Sequence, residues 1–478
     1  MNAPSTQTST FDPGSLAQRF DAQRAAFARA PYPNVAARDR RLAALERLLS
    51  DNAATIGDAV SRDFGHRSAH ETRLLELFPS LEAVRHARRR LRKWMRPLRR
   101  STSLWFVPGR SQVIAQPLGV VGIIVPWNYP VYLAIGPLVA ALAAGNRALV
   151  KMSELAPATG TLLAELVRAA FDPDEVEVVT GDADVGRAFA ALPFDHLLFT
   201  GSTGVGRAVM RAAAENLTPV TLELGGKSPA LVGPDFAIEA AAERILVGKL
   251  MNAGQTCIAP DYALVPAARL REFVDAARRV VAACYPDPLH SPDYSSIIDA
   301  RHFARLAGYI DEARAQGAEV IVLGPSGAAP DAGTRRIPPT LLVGAPDACR
   351  VMREEIFGPI LPVVPYASFD DALAYVNARP RPLALYCFDR DESRIQRVLT
   401  ETVAGGVTIN DTILHVAQDD LPFGGVGPSG MGRYHGYDGF LAFSNQKGVF
   451  RQARVNGMAL FKPPYGKTFE RLVGFLLR

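Results

Sequence analysis

A chain of 478 residues, 48% hydrophobic and 21% charged, has an ordinary globular composition and is sized for two or three domains, not one small core. Four scattered cysteines (Cys257, Cys284, Cys349 and Cys387) exclude a disulfide framework or a paired-cysteine metal site and favour a reducing, cytoplasmic setting. The net charge of +5 gathers in residues 85–100, RHARRRLRKWMRPLRR, which reads as an exposed helix face with Leu91, Trp94 and Met95 turned inward. The rival reading of that run is a nucleic-acid patch with Trp94 as a stacking group.

Residues 1–15 are rich in Ser, Thr and Pro and read as a disordered tail, without the basic and apolar regions of a signal peptide. Residues 36–49 and 56–63 repeat apolar side chains at three-to-four spacing, so 16–100 reads as helical, with Pro97 stopping the last helix. His66 and His70 stand four apart with no third ligand, which reads as a solvated face and not a metal site. Residues 105–116 alternate like a strand. Short β-branched runs at 120–125, 148–151, 176–179 and 196–199 then alternate with Ala-rich helical stretches at 133–144, 158–171, 184–191 and 206–214. This order predicts a parallel, helix-covered sheet. The apolar stretch 131–145 contains Pro137 and is too short to span a bilayer, so it reads as a buried helix. The alternation restarts after Cys257, with strands at 261–265 and 320–323 and helices at 268–284 and 302–316. Two such units predict two domains meeting near 225–260, with Gly225-Gly226 as a hinge; ligand sites favour such junctions. The apolar segment 469–477, basic at its ends, reads as docked on the protein, and no stable membrane insertion is expected.

The chemistry gathers at that junction. Glu223 lies in LELGGKSP at 222–229 and Cys257 in MNAGQTCIAP at 251–260. A thiol nucleophile and a carboxylate base are the groups needed to form and then hydrolyse a thioester. A lone cysteine is more often a small buried hydrophobe, so its neighbours decide. Asn128 in PWNYP at 126–130 reads as an amide donor to an oxyanion or as part of a turn built by its prolines. FTGSTGVG at 199–206 links strand to helix, and its glycines would let backbone approach a phosphate. Its G-x-x-G-x-G spacing differs from the Rossmann fingerprint, so alone it is equally a tight turn. Lys151 and Glu154, in KMSE at a strand end, suit ribose hydroxyls or form an ordinary surface pair. Cys284, Cys349 and Cys387 carry no motif and read as structural.

In this order, PWNYP, KMSE, FTGSTGVG, LELGGKSP, NAGQTC at 252–257, EEIFGPI at 354–360 and PFGGVGPSGMGRYHG at 422–436 resemble the aldehyde dehydrogenase superfamily from about residue 20 to 465. GMGRYHG and the length of the C-terminal part resemble its class-three branch. APDYALVP at 259–266, PDYSSIIDARHFARL at 292–306 and VAQDDLPFGGVG at 416–427 resemble the bacterial coniferyl aldehyde dehydrogenases within it.

The resemblance implies an α/β fold of three parts. A Rossmann-like parallel-sheet domain for NAD(P) would span 16–100 and 118–225, and an α/β catalytic domain 226–435. A small oligomerisation β-flap would come from 101–117 and 436–478. It implies Cys257 as nucleophile, Glu223 as general base, and Asn128 with the Cys257 N–H as oxyanion hole. Along the cofactor it implies Trp127 as a binding residue, Lys151 and Glu154 at the adenosine ribose, Gly201, Ser202 and Gly206 at the pyrophosphate, and Glu355 and Phe357 at the nicotinamide half. NAD is the implied cofactor, because Glu154 would repel a 2′-phosphate, with NADP as the alternative. The implied reaction is oxidation of an aldehyde to its acid through a cysteine thiohemiacetal and thioester. An aromatic substrate such as coniferyl aldehyde, giving ferulate, is implied first and a medium- or long-chain aliphatic aldehyde second. A cytoplasmic homodimer without a metal, and without a nucleic-acid partner, completes the expectation. A CoA-acylating enzyme would share Cys257 but not need Glu223. Met152, Gly204 and Pro428 depart from the family's frequent residues, and the first two bear on cofactor preference. Tyr129 and residues 413–416 read either as walls of an aromatic-aldehyde pocket or as core packing.

Overall fold

The structure, a computed structural model, describes residues 13–478. Most of the expected tail lies outside the described residues, and its last three belong to helix α1 (Pro13–Arg29), since proline's fixed φ suits a first helical turn. Helices α2 (Val35–Asp51) and α3 (Ala53–Phe64) bury Leu42, Leu45 and Leu49, and Ile56, Val60 and Phe64, at the spacing that defines one helix face. After α4 (Ala69–Thr72) comes a π-helical turn, Arg73–Leu77, and then α5 (Phe78–Trp94). On α5, Arg85 and Arg88 pair with Glu46, Arg88 also with Asp39, and Arg90 with Asp420, while Leu91 and Trp94 are buried. The basic run is thus a salt-bridged helix face.

Strand β1 (Leu98–Arg100) is followed by β2 (Arg110–Pro117). The strand expected at 105–116 is shorter: Leu104–Phe106 makes a 3-10 turn, and Pro108 has no N–H to give a ladder. The first α/β unit runs β3 (Val120–Ile124), α6 (Tyr132–Ala144), β4 (Arg147–Lys151), α7 (Pro157–Ala170), β5 (Val176–Val179), α8 (Ala183–Ala190), β6 (His196–Gly201), α9 (Thr203–Ala214) and β7 (Val220–Leu224). Its strands pair in parallel in the order β5-β4-β3-β6-β7. All five residues of β4 are buried, the pattern of a strand covered on both faces.

Residues 225–228 cross to a second sheet. It is built from β8 (Pro229–Val232), β9 (Tyr262–Pro266), β10 (Glu319–Val322), β11 (Thr340–Val343), β12 (Ile360–Tyr366), β13 (Ala384–Phe388) and β14 (Gly406–Ile409). The order is β10-β11-β12-β9-β8-β13-β14, parallel except for β10. Helices α10 (Ile238–Leu250), α11 (Leu270–Cys284) and α12 (Ala300–Ala315) fall between its early strands. The chain then returns. β15 (Gly430–Met431) pairs antiparallel with β7, Gly430 opposite Glu223, and β16 (Ser444–Arg451) joins β1 and β2 in an antiparallel three-stranded sheet. Among the described residues no helix is long and apolar enough to cross a membrane.

Candidate active site

Three adjacent strands, β3, β6 and β7, release their carboxyl ends side by side, which is where open parallel sheets bind ligands. The segment after β3 carries Trp127 and Asn128; β6 runs into Gly201 and Ser202; β7 carries Glu223. These meet Cys257, Glu355 and Phe357 around a cavity of about 730 Å³.

Cys257 follows a segment held against its own preference. Asn252 and Ala253 both lie in the left-handed region, with φ of 52° and 51°, a conformation that costs about 1–3 kcal/mol per residue. Hydrogen bonds maintain it: the Asn252 N–H donates to Glu71 Oε1 (2.9 Å) and its amide to the Gln255 carbonyl (3.2 Å). The Gln255 amide in turn donates to the Ser296 carbonyl (3.0 Å) and accepts from the Ile298 N–H (3.0 Å). Gly254, with φ of 77°, lies so close to the Gly358 carbonyl that a Cβ would overlap it, so the EEIFGP segment packs directly on the cysteine loop.

The half-buried Cys257 thiol is pushed up to about 12, first by burial and then by the carboxylates of Glu355 and Glu223. The N–H groups of Cys257 and Ile258 act the other way, favouring the thiolate. Glu223 is buried with both carboxylate oxygens unpartnered; burial holds its pKa well above the usual carboxylate range, with Arg433 opposing. Glu355 is raised to about 8 by burial and by Asp261, against the Gly226 N–H, Lys227 and Arg305. A side chain at Gly225 would overlap the Glu355 carboxylate. Asn128 is buried and spends one amide hydrogen on the Gln255 carbonyl (3.1 Å), leaving the second available.

The residues after β6 fit a dinucleotide's phosphates. Helix α9 begins at Thr203, three residues earlier than expected, so the glycine run is its first turn and not a loop before it. Ser202 is the N-cap, its hydroxyl accepting from the Val205 N–H (3.4 Å). A Cβ on Gly206 would stand 2.6 Å from Leu224, so only glycine lets α9 seat this closely on the sheet, and one on Gly201 would stand 2.5 Å from the Phe199 ring of its own strand. The turn's N–H groups and the helix dipole then favour an anion. At Gly204 a Cβ would meet nothing within 4 Å, so its departure from the family pattern opens space beside this turn.

The cavity walls include Trp127, Asn128, Gly201, Ser202, Glu223, Cys257, Glu355 and Phe357, but not Lys151, Glu154 or Gly206. Gly206 packs behind the wall. The buried Lys151 donates to the carbonyls of Met152 (2.6 Å) and Gly181 (2.8 Å); burial lowers its pKa, with the exposed Glu154 opposing. His302 and Arg305 also wall the cavity and were not foreseen. Their spacing of three on one helix was the available signal. The Trp127 ring meets His302 and Phe357 edge-on, with centroids 5.2 and 5.3 Å away.

A second cavity, about 1760 Å³, is walled by Phe78, Tyr132, Val247, Met251, Ile413 and Val416, among others. The segment 413–416 is therefore a pocket wall. Tyr129 instead is core: it is buried, with its hydroxyl 2.6 Å from Thr256 Oγ1. Tyr132, not Tyr129, contributes an aromatic ring to that wall.

Comparison with known proteins agrees with this geometry. Residues 5–449 match the model of the aldehyde dehydrogenase family. The chain is 56% identical, over 98% of its length and 97% of the relative's, to a probable coniferyl aldehyde dehydrogenase of Pseudomonas aeruginosa. It is 49% identical to a coniferyl aldehyde dehydrogenase of a Pseudomonas species, over 91% of this chain and 92% of that one. Among solved structures, the substrate-bound AldH of Staphylococcus aureus superposes with a TM-score of 0.91 at 38% identity, covering 96% of this chain and 99% of that one. A Mycobacterium tuberculosis aldehyde dehydrogenase complexed with NAD+ gives 0.82 at 31% identity, covering 91% and 90%. With the family model matched over residues 5–449 and relatives this similar over nearly the whole length, the chain belongs to the aldehyde dehydrogenase family.

Proposed function

We propose that this chain oxidises an aromatic aldehyde of the coniferyl aldehyde type to its carboxylic acid with NAD. The observation that carries this reading is a buried carboxylate with no partner, Glu223, sharing one cavity with Cys257 and Asn128. The relatives named for coniferyl aldehyde support the substrate class.

The residues act in sequence. Cys257 must lose its proton before it attacks the carbonyl carbon; a carboxylate whose pKa is raised toward that of the thiol is a matched acceptor, and Glu223 and Glu355 are both so raised. As the thiohemiacetal forms, charge grows on the former carbonyl oxygen, where the free Asn128 N–H and the Cys257 N–H donate to it. Ser202 would hold the pyrophosphate of NAD, and Glu355 and Phe357 its nicotinamide half, which when bound would supply the hydride acceptor. Cys257 is left as a thioester. Glu223 then takes a proton from water, which releases the acid and restores the thiol. The base argues for hydrolysis over transfer to CoA. Glu154, exposed at the end of β4, disfavours a 2′-phosphate and supports NAD over NADP.

The test is an aldehyde panel of coniferyl, benzyl and long aliphatic substrates, run with NAD and with NADP, with acid and acyl-CoA both quantified. We expect kcat/KM highest for coniferyl aldehyde with NAD and acid as the product. A clear preference for aliphatic aldehydes, or an acyl-CoA product, would overturn the reading.

Residues 16–100 and 118–225 would serve the cofactor, 226–435 the chemistry, and 101–117 with 436–478, which supply β2 and β16 of the three-stranded sheet, assembly into a cytoplasmic homodimer. Support for assembly comes from Leu104, Trp105, Phe106 and Phe475, large apolar side chains exposed beside that sheet. Light scattering should give twice the mass of one chain; a monomer would remove the assembly role.

A further inference from the structure

Asn128 is aimed from residues far earlier in the chain. Arg67, buried between α3 and α4, donates from Nη1 to Glu76 Oε1 (2.7 Å) and to the main-chain carbonyl of Asn128 (3.0 Å). Glu76, wholly buried in the π-helical turn, uses its other oxygen to accept the N–H groups of Val131 (2.7 Å) and Tyr132 (3.2 Å), where α6 begins. The Arg67 guanidinium lies over the Tyr129 ring, 4.8 Å from its centre. The Asn128 carbonyl also accepts from the Asn252 amide (3.1 Å), whose N–H is tied to Glu71. The pair therefore clamps residues 128–132 at both ends of the turn and, through Asn252, against the cysteine loop. Neither Arg67 nor Glu76 walls the cavity.

A buried ion pair is weak evidence for stability, because apolar residues of the same volume often serve as well; its best-attested use is to fix one register among several. Here the register fixed is that of a carboxamide. The Arg67 and Asn252 donors hold the Asn128 main chain, the Gln255 carbonyl holds one amide hydrogen, and the remaining hydrogen has one direction left.

We propose that Arg67, held by Glu76, is a positioning residue that aims the Asn128 amide at the developing oxyanion. The inference rests on the reading of Asn128 as an oxyanion donor, and the test separates the two. Two reactions of Cys257 are compared. Acylation by p-nitrophenyl acetate forms a thioester, expels nitrophenolate and passes through an oxyanion. Alkylation by iodoacetamide forms a thioether, expels iodide and builds no oxyanion.

Asn128→Ala should slow acylation about a hundredfold and leave alkylation within about twofold. Arg67→Lys keeps a cation beside Glu76, but its shorter side chain draws the nitrogen back from the two acceptors that Nη1 reaches. It should slow acylation about tenfold, leave alkylation within about twofold, and add nothing in the Asn128→Ala background. Glu76→Gln, whose single oxygen cannot serve both Arg67 and the two backbone N–H groups, should behave like Arg67→Lys and decides the matter if that variant does not fold. Normal acylation in Asn128→Ala would overturn the reading of Asn128 and the inference with it. Normal acylation in Arg67→Lys and Glu76→Gln, with Asn128→Ala impaired, would overturn the inference alone. Equal loss of acylation and alkylation in the Arg67 and Glu76 variants would also overturn it, since the defect would then lie in the thiol or the fold.

Discussion

Cys257→Ala is expected to lose aldehyde oxidation by at least about ten-thousandfold, on the scale seen when a hydrolase loses its nucleophile. Among the described residues no other thiol can stand in: Cys284 is exposed on α11, while Cys349 and Cys387 are buried, and none walls the cavity. The loss should appear in kcat with the fold intact, since a half-buried sulfur replaced by a methyl leaves only a small gap. The unmodified protein has a companion signature. With its thiol held near 12, thiolate should grow with pH across the neutral range, so alkylation of Cys257 should accelerate about tenfold per unit between pH 7 and 9. Steady-state cofactor reduction by Cys257→Ala near the unmodified rate would end the assignment.

Glu223→Gln separates the two halves of the reaction. The substitution conserves volume, and the strand is pinned on both sides, with Glu223 opposite Thr200 of β6 and Gly430 of β15, so the site should keep its shape. What is lost is proton acceptance from water, a contribution of about a hundred- to ten-thousandfold. The expected trace is a burst of about one reduced cofactor per chain, followed by a slow steady state, with the acyl-enzyme visible as added mass. The carboxylate is well placed for this effect to be large, because no hydrogen-bond partner competes for either oxygen. Multiple turnovers at the unmodified rate, with no acyl-enzyme, would reassign the base; Glu355 would then be the candidate.

Much of this was legible in advance because it depends on local pattern. The β-branched runs between Ala-rich helices announce buried parallel strands, and β3 to β6 lie where those runs lie. Asn128, Glu223, Cys257 and Glu355 could be named because each sits in a motif, and they meet in one cavity although they come from four separate segments. What escaped depends on distance or on conformation. Arg67 and Glu76 are isolated charges in a helical stretch, and nothing nearby reports that they reach Asn128. The left-handed turn at Asn252 and Ala253 is invisible because neither residue advertises a positive φ as glycine does. Gly201 to Gly206 looks like a loop, but Ser202 caps a helix that has already begun. Lys151 lies apart from the cavity because its ammonium is spent on two carbonyls behind the sheet's end.

The return of Gly430–Met431 to the strand carrying Glu223 has a consequence for synthesis. A ribosome delivers β7 long before it delivers its outer neighbour, and domains otherwise fold as they emerge. Until Ser429 arrives to accept the Leu224 N–H and Gly430 to pair opposite Glu223, that strand is a bare edge, the kind that recruits other chains. The nascent protein must therefore wait, with its first sheet open, for almost the whole second sheet to be made. A product truncated before residue 429 would keep every one of the four central residues and still carry that sticky edge. The C-terminal segment thus closes in the finished chain an edge that the half-made enzyme leaves open.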